Sequence, residues 1–101
     1  MTDLGNVITM FTDETQNDSQ SEEAILTRPS RGHTIILTGT MDGATVTILI
    51  KASNGIFVPI GGGTLTEVGS VFLEGSSSSM TIKALLEGVG GSTEISLEVT
   101  K

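Results

Sequence analysis

Residues 33–51 read HTIILTGTMDGATVTILIK, two apolar runs joined by an Asp-Gly pair. Ile35 and Leu37 fall on one side of an extended chain. So do Val46, Ile48 and Ile50, with Thr45, Thr47 and Lys51 opposite. This period of two, rich in β-branched residues, predicts strands over His33–Thr40 and Ala44–Lys51. Asp42-Gly43 between them predicts a tight hairpin turn, because both residue types tolerate positive φ.

The same rhythm continues in both directions. Upstream, Ala24–Thr27 predicts a short strand, stopped by a turn at Pro29, Ser30 and Gly32. Downstream, Asn54-Gly55 predicts a hairpin into Ile56–Ile60. Gly61-Gly62-Gly63 then breaks the pattern and Ser70–Glu74 resumes it. A polar turn over Gly75–Ser79 leads to Met80–Leu86, and a Gly-rich turn over 88–92 leads to Thr93–Thr100. Seven or eight short strands with turn signals about every ten residues predict an all-β fold, a small antiparallel β-sandwich of jelly-roll or immunoglobulin-like order.

Parity predicts the core: Ile35, Leu37, Val46, Ile48, Ile50, Val71, Leu73, Met80, Ile82, Ala84, Leu86, Ile95, Leu97 and Val99. Ile36, Leu49, Phe72 and Leu85 fall on the opposite parity, each on a different expected strand. One such residue means little, but four point to a covered outer surface. The cover expected first is a protein–protein interface. Val7–Phe11 folding back and a bulge that flips register are the alternatives, in that order.

The N-terminal part looks different. Val7-Ile8-Thr9-Met10-Phe11 is a short apolar run, and Thr12–Glu23 carries five acidic residues with almost no apolar side chain. Too little can be buried there to order it, which reads as a solvated linker or arm; a long surface loop inside the domain is the alternative. The expected organisation is therefore an extended N-terminal arm over 1–21 and a sandwich domain over 22–101. Val7, Ile8, Met10 and Phe11 join Ile36, Leu49, Phe72 and Leu85 as the expected protein interface.

Composition narrows the function. The 101 residues allow one domain, and the absence of Cys leaves neither a disulfide framework nor thiolate metal ligands. A net charge of −7 without Tyr or Trp argues against binding nucleic acid or anionic membranes, and against a sugar-stacking platform. No stretch has the ~20 apolar residues of a membrane span. Met1–Gln20 lacks the basic and apolar regions of a signal peptide, so the chain is expected to act where it is made or to leave by lysis or assembly.

Catalytic and cofactor chemistry finds little footing. His33, the only histidine, has Arg31 and Thr34 as sequence neighbours and reads as a surface residue at a strand start. No Gly-x-Ser-x-Gly elbow accompanies the serines. The glycines at 61–63 and 88–91 open no helix and read as turns or bulges, not phosphate loops. Glu94 and Glu98 stand roughly 13 Å apart along a strand, too far to share a proton or an ion. Asp13, Glu14 and Asp18 lack EF-hand spacing. The expectation is no enzyme, no cofactor and no metal.

The run Thr34–Ile50, its continuation Ala52–Ile60 (ASNGIFVPI) and Thr64–Leu73 (TLTEVGSVFL) resemble small structural proteins of tailed bacteriophages. In that pattern a G-T-x-x-G-A-T-V-T hairpin is followed by a turn and a short strand bearing an aromatic. An L-T-x-x-G follows, and a closing Gly-rich hairpin, here Leu85–Leu97, ends the domain. The resemblance covers about residues 24–101 and transfers no functional residue. It implies a virion component made in the host cytoplasm, foremost a capsid decoration (cement) protein on the major capsid protein lattice. Tail, head-fibre or adaptor components are the alternatives, and a glycan-binding module is a further one. Decoration proteins of this kind are often trimeric and many strap on through an N-terminal arm, so a homo-oligomer, possibly a trimer, is expected.

Overall fold

A computed structural model describes residues 7–26, 32–73 and 79–100. The turns expected at Pro29–Ser30 and over 75–78 lie outside these residues. The strands are β1 (Val7–Glu14), β2 (Ser19–Gln20), β3 (Ala24–Leu26), β4 (His33–Thr40), β5 (Thr45–Lys51), β6 (Phe57–Leu65), β7 (Gly69–Leu73), β8 (Met80–Glu87) and β9 (Glu94–Thr100). All pairings are antiparallel. The first sheet has the order β1-β9-β4-β7. The second has β2-β8-β5-β6, with β3 continuing the β2 position along β8.

Taking β2 and β3 as one interrupted strand reveals the winding. β5 pairs with β6, β4 with β7, β2/β3 with β8, and β1 with β9. The chain is thus one long antiparallel ribbon with its tip at the β5–β6 hairpin. It is rolled so that β9 meets β4 and β8 meets β5. That is the jelly-roll arrangement, and it excludes the immunoglobulin-like order.

The ribbon explains which turn signals make hairpins. Asn54-Gly55 sits at the tip: Gly55 N–H donates to Ala52 O, Ala52 N–H to Ile56 O, and Ile56 N–H to the Asn54 side chain. Asp42-Gly43 does not make the expected hairpin. Its backbone takes positive φ at both residues (46° and 82°) and closes an Ala44-to-Met41 hydrogen bond. Yet β4 and β5 lie in different sheets, so this tight turn is a corner where the ribbon bends. The corner is latched to the β8–β9 connection. Ser92 N–H donates to Asp42 Oδ2 at 2.8 Å and Thr93 Oγ1 donates to Met41 O at 2.8 Å.

Ten of the predicted core residues are buried, while Ile50, Val71, Leu73 and Met80 are half-buried and packed against them. Met10, Phe11, Ala24, Leu26, Met41, Ala44 and Leu65 complete the core. Each large aliphatic side chain buried this way contributes about 1.5–3 kcal/mol.

The expected division at 21/22 is not a domain boundary. β1 is an edge strand of the first sheet, paired with β9 from Val7↔Thr100 to Glu14↔Ile95. Between Thr9 and Phe11 the register shifts by one residue. This bulge lets two consecutive side chains, Met10 and Phe11, both face inward. The polar segment is ordered by hydrogen bonds, which a count of apolar residues misses. The Glu14 carboxylate accepts from the N–H groups of Thr15 and Gln16, Ser19 Oγ donates to Gln16 O, and Asn17 Oδ1 accepts from Val89 N–H. Between β2 and β3, Ser21 N–H donates to Ala84 O while its Oγ accepts from Ala84 N–H, replacing one rung of the ladder.

Candidate protein-binding surfaces

The outer face of the second sheet is built from alternate residues of β8, β5 and β6. Register places Leu85 beside Thr47, Lys83 beside Leu49, Leu49 beside Pro59, and Lys51 beside Phe57. Ile25 on β3 lies on the same face, opposite Thr81, and is 60% exposed. Lys83 Nζ lies 4.3 Å from the Phe57 ring centroid and Lys51 Nζ 5.9 Å. The ring's negative face attracts both ammonium groups, which holds their apolar stems along the sheet. Lys51 and Lys83 are the lysines and arginines among the described residues, so a chain of net charge −7 gathers its described cations on one apolar face.

The outer face of the first sheet is polar, with Ser96 and Glu98 on β9 and Thr34 and Thr38 on β4. Apolar side chains appear there toward β7. Ile36 sits between Glu98 and Ser70, and Phe72 pairs with Thr34. The Phe72 ring lies against the Gly32 backbone and is still 63% exposed.

The side of the sandwich where β6 and β7 end the two sheets is open. A cavity of about 140 Å³ lies between them, with Ile35 and Ile48 at its floor, Ile60 and Gly63 on β6, and Val71 and Leu73 on β7. Gly63 shapes it, because a Cβ there would come within 3.2 Å of Ile48 Cβ and 3.1 Å of Ile60 O. A side chain there would require Ile48 or the Ile60 backbone to give way by a few tenths of an ångström.

The eight expected interface residues are not brought together. Met10 (6% exposed) and Phe11 (4%) are core, so they are removed from the interface; β1's bulge, invisible to parity, turns them inward. Val7 and Ile8 are half-buried in β1, and Ile8 packs on the core. Ile36 and Phe72 lie on the first sheet's outer face, Leu49 and Leu85 on that of the second. Reasoning from parity missed Phe57 and Pro59, whose place beside Lys51 and Leu49 depends on the β5–β6 register.

His33 is also corrected. It is 1% exposed, with Nδ1 2.7 Å from Thr100 O and Nε2 unpartnered among the described residues. It shares the inward parity of Ile35 and Leu37, a signal that its residue type concealed. Of the acidic candidates, Asp13 engages Ser96 and Glu14 caps its own turn, so the two carboxylates serve different partners. Among the described residues no three His, Asp or Glu side chains converge as metal ligands would. Compared with protein-family models, curated proteins and solved structures, the chain matches none.

Proposed function

We propose that the chain is a structural component of a larger protein shell, a decoration protein of a tailed-phage head, docking through the outer face of its second sheet. The observation that carries this reading is the combination on that face of Leu49, Leu85, Pro59 and Phe57 with Lys51 and Lys83. Apolar neighbours exclude water from a contact, while ammonium groups at its rim select an acidic partner surface and steer it into place. The strand-and-turn resemblance of residues 24–101 supplies the virion context. The jelly-roll topology agrees with it, though such folds serve capsids and carbohydrate binders alike.

The proposed mechanism is coverage. A rigid sandwich that buries a face across neighbouring capsid subunits adds contacts the lattice must break before it can expand. The expected arm mechanism is narrowed, because residues 7–21 belong to the fold.

The test is co-sedimentation with purified capsid shells of the phage that encodes the chain. A Leu49→Thr, Leu85→Thr double variant keeps β-compatible side chains and is expected to bind on the order of tenfold more weakly or worse. Its circular dichroism should match the parent. Undiminished binding by the double variant would remove this face from the mechanism. Binding to purified tails in place of heads would favour the tail or adaptor role.

A further inference from the structure

The sandwich has four strand edges, and three carry devices that prevent another strand from pairing. β1 shifts register twice, between Thr9 and Phe11 and between Phe11 and Glu14, and carries Asp13 at φ 47°. The β2/β3 edge is broken into pieces of two and three residues, with Glu22 and Glu23 in the break. β6 carries Pro59, a bulge opposite Ile48 and Gly62 at φ 79°. Bulges, prolines, charges and short segments are how natural sheets protect an edge.

β7 differs: it is short and opens on Gly69 at φ 150°, but it has no bulge. Gly69–Leu73 pairs with β4 residue for residue, from Leu37↔Gly69 to His33↔Leu73, without a shift. It contains no charged residue and no proline, and its other side is unpaired among the described residues. Phe72 (63% exposed) lies on it and Val68 (51%) just before it.

We propose that β7 is a self-pairing edge: two copies of the chain join β7 to β7 antiparallel about a two-fold axis at Val71. A second copy matches this edge because its own β7 is likewise free of bulge, proline and in-strand charge, whereas its other three edges are blocked to strand addition. The axis follows from overlap, because only a centre at residue 71 pairs all of Gly69–Leu73. The side chains then complement one another. Ser70 of one copy faces Phe72 of the other, and the two Phe72 rings become diagonal neighbours within reach across the outer face. Ile36, already beside Ser70, extends that cluster on each copy. On the inner face, Val71 meets Val71 at the mouth of the cavity between β6 and β7. β7 itself brings no charged residue into the pairing, but Glu67 and Glu74 flank it in sequence at its two ends, so carboxylate repulsion weakens the pair and more so at low salt. This pairing goes beyond the proposed docking face and holds whether or not the partner of that face is a capsid.

The interface is small, so association should appear in the micromolar-to-millimolar range. Sedimentation equilibrium of the full chain up to about 1 mM is expected to show a reversible shift from the 10.4 kDa monomer toward twice that mass. Phe72→Lys and, separately, Ser70→Lys should each abolish the shift while circular dichroism is retained, and Thr9→Lys on β1 should leave it intact. The chain has no cysteine, so register is read directly. An oxidised equimolar mixture of Ser70→Cys and Phe72→Cys chains should form the mixed disulfide well beyond the twofold excess over either homodimer that random pairing gives. A chain that stays monomeric at about 1 mM, a dimer indifferent to both lysines, or a mixed disulfide at no more than its statistical share would each overturn the proposal.

Discussion

β1 and β7 are the two edges of one sheet, and they solve the edge problem in opposite ways. β1 is long, bulged twice and charged at its end, and its bulge drives Met10 and Phe11 into the core. β7 is short, regular and uncharged, and its most apolar side chain points into solvent. The strand with the weaker sequence signal is therefore the more deeply built into the fold. The strand with the unbroken pairing register is the one left available. Irregularity at β1 joins two tasks, since the same bulge that buries an extra side chain also twists the edge away from partners. Regularity at β7 leaves open what β1 closes.

Removing residues 1–21 breaks this comparison most severely. Such a truncation strips β1 and β2 from both sheets and takes Met10, Phe11 and Ser21 from the interior. Stability of a domain this size is about 5–15 kcal/mol, so the truncated chain should lose its β-sheet circular dichroism. An arm that merely strapped the domain to a partner would leave that signal unchanged.

Phe11→Ala asks the same question with one side chain. It should cost about 3–5 kcal/mol in urea unfolding, as removal of a buried aromatic does. A loss below 1 kcal/mol would mean that β1 is loosely attached.

These effects mark what was legible beforehand. The strands over 33–51, 80–86 and 93–100 could be read because each buries one face, and burial writes period two into the residues. The Asn54-Gly55 hairpin was legible because it needs only local geometry. β1 was not, because a bulge places adjacent residues on the same side and erases the alternation. Nor was the order in 12–23, which rests on Glu14, Asn17, Ser19 and Ser21 bonding to backbone groups. The corner at Asp42-Gly43 shows a further limit. Its turn conformation is local, but whether the strands it joins pair with each other is decided by β7, β8 and β9. The interface candidates divided along the same line. Ile36, Leu49, Phe72 and Leu85 followed from parity, while Phe57 and Pro59 needed the pairing register.

A milder change sharpens the account of β1. Ser96 Oγ accepts the Asp13 N–H at 3.0 Å, across the second register shift. Ser96→Ala should cost about 0.5–1.5 kcal/mol, with faster hydrogen exchange at Asp13 than at Thr9. No change in exchange would show that the shift is held by its neighbours alone.

The smallest expected effect is on β7. Phe72→Lys should alter unfolding stability by no more than about 0.5 kcal/mol, as exposed substitutions do. A larger loss would show that the ring's contact with Gly32 is part of the fold.

The contrast between the edges is tested most directly by amide chemical shifts of the ¹⁵N-labelled chain, followed from dilute solution to about 1 mM. Concentration-dependent shifts should centre on Gly69–Leu73 and reach Ile36, with β1 unmoved. Shifts spread along β1, or none at β7 over that range, would contradict the account.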